Sequence, residues 1–206
     1  MPDIAVQNPI NAKLSAPALV AALQSRSLVL VGMMGAGKSS IGRRLAARLE
    51  IPFVDADAEI ERAAGMTISD MFAKHGESSF RSGEARVIAR LLDQGHQVLA
   101  TGGGAFMNPD TRAGVRQKGV SVWLKADFEV LMRRVKRRAT ADRPMLQGEP
   151  AQRIAHLMAE RYPVYGLADV TVMSRDVAHE TIVNEIIAAV AAPLGLGPTP
   201  GAEAAE

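Results

Sequence analysis

Apolar positions along this chain form two kinds of pattern, short unbroken runs and longer runs with a helical period. Unbroken runs of this length predict strands that are buried on both faces, as in a parallel sheet. The five predicted strands cover residues 27–31, 51–54, 97–100, 120–124 and 170–172. Because helical patterns separate them, the alternation predicts an α/β fold, a parallel sheet between layers of helices joined by right-handed crossovers.

Helical periodicity fills most of the chain between these strands. The predicted helices cover residues 18–23, 38–50, 58–64, 67–76, 82–92, 111–118, 127–138, 150–161 and 181–192. Gly65, Gly76 and Gly95 end three of them, since a glycine takes the left-handed conformation that closes a helix without steric cost.

The segments outside these elements divide the chain into one domain and its extensions. Residues 26–192 form the predicted single domain, and residues 1–25 a mobile N-terminal extension. Residues 193–206, rich in Pro, Gly, Ala and Glu, predict a disordered tail. Within the domain, residues 139–148 show no apolar period and predict a mobile loop.

Composition narrows the possible classes of function. The 206 residues are 48% apolar and 22% charged, as in an ordinary globular domain. A net charge of only +2 does not indicate general nucleic-acid binding. Cysteine is absent, which excludes disulfides and thiolate metal sites and fits a reducing compartment. With neither a long apolar run nor a signal-peptide pattern, we expect a cytoplasmic protein without a membrane segment. We also expect a monomer, although no pattern in the sequence fixes the oligomeric state.

A glycine-rich segment lies between the first predicted strand and the helix that follows it. Residues 32–39 read Gly-Met-Met-Gly-Ala-Gly-Lys-Ser, which matches the phosphate-loop pattern of Gly, four residues, then Gly-Lys-Ser/Thr. Successive main-chain amides in such a loop form a concave site for a triphosphate. We expect Lys38 to reach the β- and γ-phosphates of ATP and Ser39 to bind Mg²⁺. The alternative is a glycine-rich turn that matches by chance.

Two further strands end in polar or flexible residues. Asp55 and Asp57 follow the second strand, and in extended geometry both side chains point the same way. One carboxylate can then hold metal-bound water and the other can orient or deprotonate an alcohol, or the pair can simply cap the next helix. The third strand runs into Gly102, Gly103 and Gly104, which either let a ligand approach the backbone or form only a turn. Ligands of α/β folds bind at the carboxyl ends of the strands, so these groups predict one site.

Three arginines have the chemistry to bind carboxylate or phosphate groups through paired hydrogen bonds, namely Arg81, Arg143 and Arg161. Taken singly, each is more commonly a solvated surface residue. Arg143 lies in the predicted mobile loop, where a lid can bring it onto a phosphoryl group. Residues 133–138 carry five cations in six positions, a pattern that favours a helix face with last-turn cations over contact with a nucleotide.

Taken together, several segments of the chain resemble the shikimate kinase family. They read Gly-Met-Met-Gly-Ala-Gly-Lys-Ser-Ser-Ile-Gly-Arg at 32–43, Phe-Val-Asp-Ala-Asp at 53–57, Gly-Glu-Ser-Ser-Phe-Arg at 76–81 with Glu84, Thr-Gly-Gly-Gly at 101–104, Arg-Pro-Met-Leu at 143–146 and Arg-Tyr-Pro-Val-Tyr at 161–165. Many kinases share the phosphate loop, but the combined set is much more specific.

The resemblance implies a reaction and a fold. The reaction is transfer of the γ-phosphate of ATP, with Mg²⁺, to the 3-hydroxyl of shikimate in aromatic amino-acid biosynthesis. The fold is a three-layer P-loop kinase fold with a five-stranded parallel sheet of order 2-3-1-4-5, as in nucleoside monophosphate kinases. A substrate-binding segment is implied near residues 55–84 and a lid near residues 136–148.

Residue roles are also implied by the matching motifs. Shikimate would lie against Asp57, Arg81, Gly102, Gly103, Gly104 and Arg161. Arg81 and Arg161 would bind its carboxylate, and Glu84 would orient Arg81. The phosphates of ATP would lie on Gly35, Ala36, Gly37, Lys38, Ser39 and Ser40, with Arg143 over them. Ser39 would bind Mg²⁺, Asp55 would act through metal-bound water, and Lys38, Asp57 and Arg143 form the predicted catalytic set.

Two alternatives stay open at the level of sequence. A gluconate kinase of the same fold also handles a carboxylate, so the arginines alone do not exclude it. A nucleotide-binding regulator without transfer activity is a different class, although it would have no use for both Asp57 and Arg143.

Overall fold

A single sheet forms the centre of the computed structural model, which describes residues 15–138 and 150–196. Its strands are β1 Ser27–Val31, β2 Phe53–Asp55, β3 Val98–Ala100, β4 Gly119–Lys125 and β5 Val170–Met173. All pairings are parallel, and the strand order is β2-β3-β1-β4-β5. The predicted sheet and its order 2-3-1-4-5 are therefore confirmed.

Helices cover this sheet. They are α1 Ala16–Leu23, α2 Lys38–Leu49, α3 Ala56–Ala64, α4 Ile68–Leu92, α5 Pro109–Lys118, α6 Phe128–Arg138, α7 Pro150–Tyr165 and α8 His179–Val190, with a 3-10 turn at Ala105–Met107. Helix α2 packs against β3 and α8, whereas α5 packs against β4 and α4. None of the helices in the two described ranges combines the length and apolar character needed to cross a bilayer.

Strand β1 is the central strand of the fold and leads directly into the phosphate loop. All five of its residues are buried, which explains its unbroken apolar run. Leu28 lies level with Val98 of β3 on one side and with Val120 of β4 on the other. Because β1 is paired along both edges, the loop that follows it starts from a fixed position.

Both predicted extensions contribute to the folded domain. Helix α1 lies within the predicted mobile extension 1–25, but its Leu19 and Leu23 are fully buried in the main core. Leu194, in the predicted tail 193–206, is also buried in that core. In these parts the prediction was wrong, because short apolar segments next to a domain gain burial by packing on it. The rest of both extensions lies outside the described residues, as do residues 139–148 of the predicted lid.

Helix α4 is interrupted at Gly76. This residue has φ 74° and ψ 169°, so the helix changes direction there, and the predicted end at Gly76 is confirmed. The next helical segment starts earlier than the predicted residue 82. Glu77, Arg81 and Glu84 consequently lie on one helix at spacings of four and three residues, which places their side chains on the same face.

Candidate active site

The phosphate loop is held open by glycines with left-handed backbone angles. Gly32, Gly35 and Gly37 have φ values of 137°, 80° and 92°. A Cβ on Gly32 would lie 2.7 Å from the carbonyl oxygen of Leu124 in β4, so only glycine fits there. Gly37 precedes α2, and Lys38 is its first residue. The loop therefore presents its amides at the positive end of a helix, as anion sites do.

Lys38 folds back along this loop. Its Nζ donates to the carbonyl oxygens of Gly32 at 2.7 Å and Met33 at 3.0 Å. These bonds hold the ammonium group at the mouth of the loop, where the charge can face a bound phosphate.

Ser39 and Asp55 bring two oxygen ligands together at the ends of α2 and β2. The Ser39 Oγ donates to Asp55 Oδ2 at 2.7 Å. A hydroxyl and a carboxylate next to a phosphate loop match the oxygen preference of Mg²⁺. Asp55 is also the N-cap of α3, where its Oδ1 accepts the Asp57 N–H at 3.2 Å. The capping alternative is therefore correct for Asp55, where one carboxylate oxygen accepts from the Asp57 N–H and the other from Ser39.

Asp57 lies in the first turn of α3, and not in an extended segment as predicted. The reason is that Asp55 caps the helix, so α3 starts at Ala56 and not at residue 58. The Asp57 carboxylate still faces the site, because a Cβ on Gly102 would lie 2.7 Å from its Oδ1. The two carboxylates therefore have different neighbours, Ser39 for Asp55 and Gly102 for Asp57.

The three glycines after β3 bring the polar side chains of the site together. A Cβ on Gly102 would meet Glu84 Oε1 at 2.7 Å as well as Asp57, and one on Gly103 would lie 3.3 Å from Arg161 Nη1. A Cβ on Gly104 would collide with the Arg81 guanidinium. A Cβ at any of these positions would crowd or displace the end of a polar side chain, so the segment and these side chains approach each other closely.

Arg81 is held by acidic residues of its own helix. Its Nη1 donates to Glu84 Oε2 at 2.7 Å, and its Nη2 donates to Glu77 Oε1 at 3.1 Å. The guanidinium carbon lies 5.2 Å from the centre of the Phe80 ring and 5.8 Å from that of Phe72. Burial opposes the charge, but the two carboxylates raise the pKa of Arg81 above its ordinary value.

Glu84 is a buried carboxylate next to the site, and the residue is only 2% exposed. Burial raises the pKa of Glu84, the charge of Asp57 adds to the rise, and Arg81 and Arg161 act against it. Among the described residues, neither Glu84 Oε1 nor Arg161 Nε has a hydrogen-bond partner. Arg161 is 7% exposed, so a cation and a carboxylate are both buried here with one unsatisfied polar atom each.

The raised pKa of Glu84 predicts a pH-dependent stability. The folded protein keeps a proton on Glu84 at a higher pH than the unfolded chain does, so the free energy of unfolding falls as pH rises through this range. Glu84→Gln cannot titrate there. We therefore expect the variant to gain stability relative to wild type from about pH 4.3 upward, measured by urea unfolding at a series of pH values.

Glu185 provides the matched control for this experiment. The hydrogen bond from Arg175 lowers the pKa of Glu185, so its contribution to stability is lost as pH falls. Glu185→Gln should not gain on wild type as pH rises. If the difference in free energy of unfolding between wild type and Glu84→Gln stayed constant over the whole pH range, burial would not be raising the pKa of Glu84.

Some residues next to the site have no local signal in the sequence. Tyr165 is fully buried, and its hydroxyl donates to the carbonyl oxygen of Gly103. It lies one turn after Arg161 because α7 continues past the predicted end at residue 161 to Tyr165. Arg134 and Ser174 donate hydrogen bonds to carbonyl oxygens of the phosphate loop, those of Gly35 and Ala36. Arg143 lies outside the described residues.

The sequence comparisons match this chain to one family. The sequence model of the shikimate kinase family matches residues 34–191. A shikimate kinase of Bradyrhizobium diazoefficiens is 64% identical over 170 residues, which cover 82% of this chain and 81% of the relative.

The structural comparisons separate this family from another of the same fold. A shikimate kinase from Acinetobacter baumannii in complex with shikimate is 36% identical with a TM-score of 0.77, covering 86% of this chain and 97% of that chain. A gluconokinase from Sinorhizobium meliloti is 20% identical with a TM-score of 0.53, covering 83% and 94%, a likeness in fold alone.

Proposed function

This chain belongs to the shikimate kinase family, and on that premise we propose that it transfers the γ-phosphate of ATP to the 3-hydroxyl of shikimate. One observation carries the proposal for the site. Asp57, Arg81 and Arg161 all approach the glycines after β3, next to the phosphate loop. A carboxylate and two guanidinium groups suit an anionic polyol such as shikimate. The comparisons disfavour the gluconate kinase alternative, because the gluconokinase structure is similar in fold alone.

The nucleotide part of the site is the phosphate loop and the start of α2. We assign the phosphates of ATP to the amides of Gly35, Ala36, Gly37, Lys38, Ser39 and Ser40, with Arg143 above them. The left-handed glycines and the helix end support this assignment. Lys38 would balance charge that develops on the transferring group.

Ser39 and Asp55 are the residues that would hold Mg²⁺. Their 2.7 Å contact brings two oxygen ligands next to the loop, and magnesium sites at nucleotides need only one or two protein oxygens beside the phosphates. Mg²⁺ would neutralise phosphate charge and help align the phosphates. Asp55 would act through metal-bound water.

The substrate part of the site lies across the glycines from the loop. We assign the shikimate carboxylate to Arg81 and Arg161, with Gly102, Gly103 and Gly104 forming the surface beneath the ring. Asp57 would accept a hydrogen bond from the 3-hydroxyl. As the oxygen bonds to phosphorus and the bond to ADP breaks, Asp57 takes the hydroxyl proton. Since the transition state of such transfers is loose, Asp57 would act mainly by orienting the hydroxyl.

An assay of ADP release tests this proposal. Purified protein is given ATP, Mg²⁺ and, in turn, shikimate, gluconate or a nucleoside monophosphate. We expect rapid turnover with shikimate and background rates with the others. Turnover with gluconate alone, or nucleotide binding without turnover on any alcohol, would contradict the proposal.

Arg81 offers a test of substrate capture. In Arg81→Ala the carboxylate of shikimate loses a charged partner, so we expect KM for shikimate to rise about 10- to 100-fold while KM for ATP changes little. Steady-state kinetics with each substrate varied in turn measures both. Arg86→Ala, exposed on the same helix, is the matched control. An unchanged KM for shikimate in Arg81→Ala would remove the role that we assign to it.

We also propose that the protein works as a cytoplasmic monomer in aromatic amino-acid biosynthesis. The absence of cysteine supports a reducing compartment, and the small net charge of +2 gives no reason to expect a nucleic-acid partner. Light scattering after gel filtration would test the monomer.

A further inference from the structure

Helix α7 carries two buried polar side chains on one face. Arg161 and Tyr165 lie four residues apart, so their side chains are neighbours along the helix. Arg161 is 7% exposed and Tyr165 is fully buried. Arg161 contacts shikimate in the proposed function, whereas Tyr165 has no part in it.

The Tyr165 hydroxyl connects this helix to the glycines after β3. It donates to the carbonyl oxygen of Gly103, 62 positions away along the chain. Burial raises the pKa of Tyr165, and the nearby charge of Arg161 acts against the rise. The phenol therefore stays protonated at neutral pH and remains a hydrogen-bond donor.

Gly103 is also the glycine that Arg161 approaches. A Cβ on Gly103 would lie 3.3 Å from Arg161 Nη1. The Gly103 carbonyl is held by Tyr165, and because a peptide is planar this bond also orients the amide that joins Gly103 to Gly104. The glycine segment is therefore fixed to the same helix that carries the Arg161 guanidinium, through a single side chain.

Arg161 depends on such a neighbour more than Arg81 does. Arg81 is held by its hydrogen bonds to Glu77 and Glu84. In the part of the chain that the structure describes, no ion pair includes Arg161, and its buried Nε lacks a hydrogen-bond partner. The position of the Arg161 guanidinium is therefore set by packing and by the helix that carries it.

Aromatic packing holds the ring of Tyr165 in addition to the bond made by its hydroxyl. The ring centre lies 5.9 Å from that of Trp123 in β4 and 6.3 Å from that of Tyr162 in α7. Tyr162 belongs to the same cluster, 5.0 Å from Trp123, but its hydroxyl donates to the carbonyl oxygen of Ala126, beyond β4. Two tyrosines of one helix thus make the same kind of hydrogen bond to different segments, which provides a matched pair for experiment.

We propose that Tyr165 is a positioning residue for the acceptor substrate. It acts through Gly103 and Arg161, which it keeps in the relative position that binds the shikimate carboxylate before shikimate arrives. Groups that are already in place need less ordering on binding, so the affinity for shikimate is higher. The inference rests on the proposed function in one respect, that Arg161 binds this carboxylate.

Replacing each tyrosine by phenylalanine tests the inference. Both variants keep the aromatic ring and lose one hydrogen bond, so we expect the thermal midpoint to fall by only a few degrees in each. In Tyr165→Phe we expect KM for shikimate to rise about three- to tenfold, while KM for ATP stays within about twofold of wild type. In Tyr162→Phe both KM values should stay within about twofold of wild type, because its hydroxyl bonds a segment away from the glycines.

A double variant tests whether the hydroxyl acts through Arg161. In Arg161→Met the carboxylate of shikimate loses its cation, so the hydroxyl of Tyr165 has less left to position. The rise in KM for shikimate in Arg161→Met with Tyr165→Phe should therefore be smaller than the product of the two single rises. A rise equal to that product would overturn the role through Arg161.

Calorimetric titration with shikimate in the presence of Mg-ADP separates this inference from the proposed function. Weaker shikimate binding in Tyr165→Phe than in wild type and Tyr162→Phe would support the inference. Equal binding in all three proteins, or the same loss in both variants, would overturn it and leave the proposed function intact. Absence of shikimate binding to wild type would instead overturn the proposed function, and the role of Tyr165 with it.

Discussion

Replacing Lys38 by alanine should reduce kcat about a hundred- to a thousandfold, with a smaller change in KM for shikimate. The ammonium group lies at the mouth of the phosphate loop, held by the carbonyls of Gly32 and Met33. From there it can stabilise charge that grows on the transferring group and on the departing ADP, which alanine cannot do. Rapid-mixing measurements of a single turnover give the rate of transfer itself.

The fold must be intact for this result to be interpreted. Lys38 also bonds two carbonyls of the loop, so circular dichroism and thermal unfolding of the variant should accompany the kinetics. Arg48→Ala removes an exposed cation from the last turn of the same helix and should retain wild-type kcat. A Lys38→Ala protein that is folded and turns over at the wild-type rate would contradict the assigned role.

Changing Asp57 to asparagine should lower kcat about 100- to 10,000-fold. Asparagine has the size of aspartate but cannot take the hydroxyl proton, and it presents only one oxygen to the substrate. Since the Asp57 carboxylate lies at Gly102, the loss falls on the substrate side of the site. Steady-state rates with shikimate varied at saturating ATP measure the change.

Asp110→Asn is the matched control for this variant. Asp110 is also an acid in the first turn of a helix, but it is exposed at the start of α5. It should keep wild-type kcat. If Asp57→Asn loses less than about tenfold, proton transfer to Asp57 is not required, and alignment by the hydrogen bond alone accounts for its position.

Local patterns in the sequence predicted most of the elements and the ends of the strands. Apolar runs predicted all five strands. Strands β1, β3 and β4 are buried almost throughout, as strands covered on both faces must be, whereas β2 and β5 lie at the two edges of the sheet and are only partly buried. The phosphate loop lies where the sequence predicted it, between β1 and α2. Its glycines could be recognised locally because the loop needs left-handed backbone angles, which glycine adopts most readily. The strand order came from the resemblance and not from these patterns.

The geometry of the aspartates was harder to predict. Extended spacing placed Asp55 and Asp57 on one side, but an aspartate after a strand is also a strong N-cap, and in this chain the cap prevailed. Which tendency wins depends on how the following helix packs, and the sequence alone does not contain this information in a local form.

Contacts between distant parts of the chain left no local pattern. Ser174 bonds Ala36 across 138 positions, Tyr165 bonds Gly103 across 62, and Arg134 bonds Ser174 across 40. In the sequence Arg134 is one of several cations at a helix end. Only the fold separates it from Arg133, because one side chain faces the loop and the other pairs at the surface.

The central claim is that one cleft holds a polyphosphate on main-chain amides and presents the ring alcohol of shikimate to it. A crystal structure of the protein with shikimate and Mg-ADP tests this most directly. We predict that the diphosphate lies on the amides of residues 35–40, the shikimate carboxylate on Arg81 and Arg161, and the 3-hydroxyl at Asp57. Shikimate bound away from these three side chains, or a diphosphate outside the loop, would contradict the account.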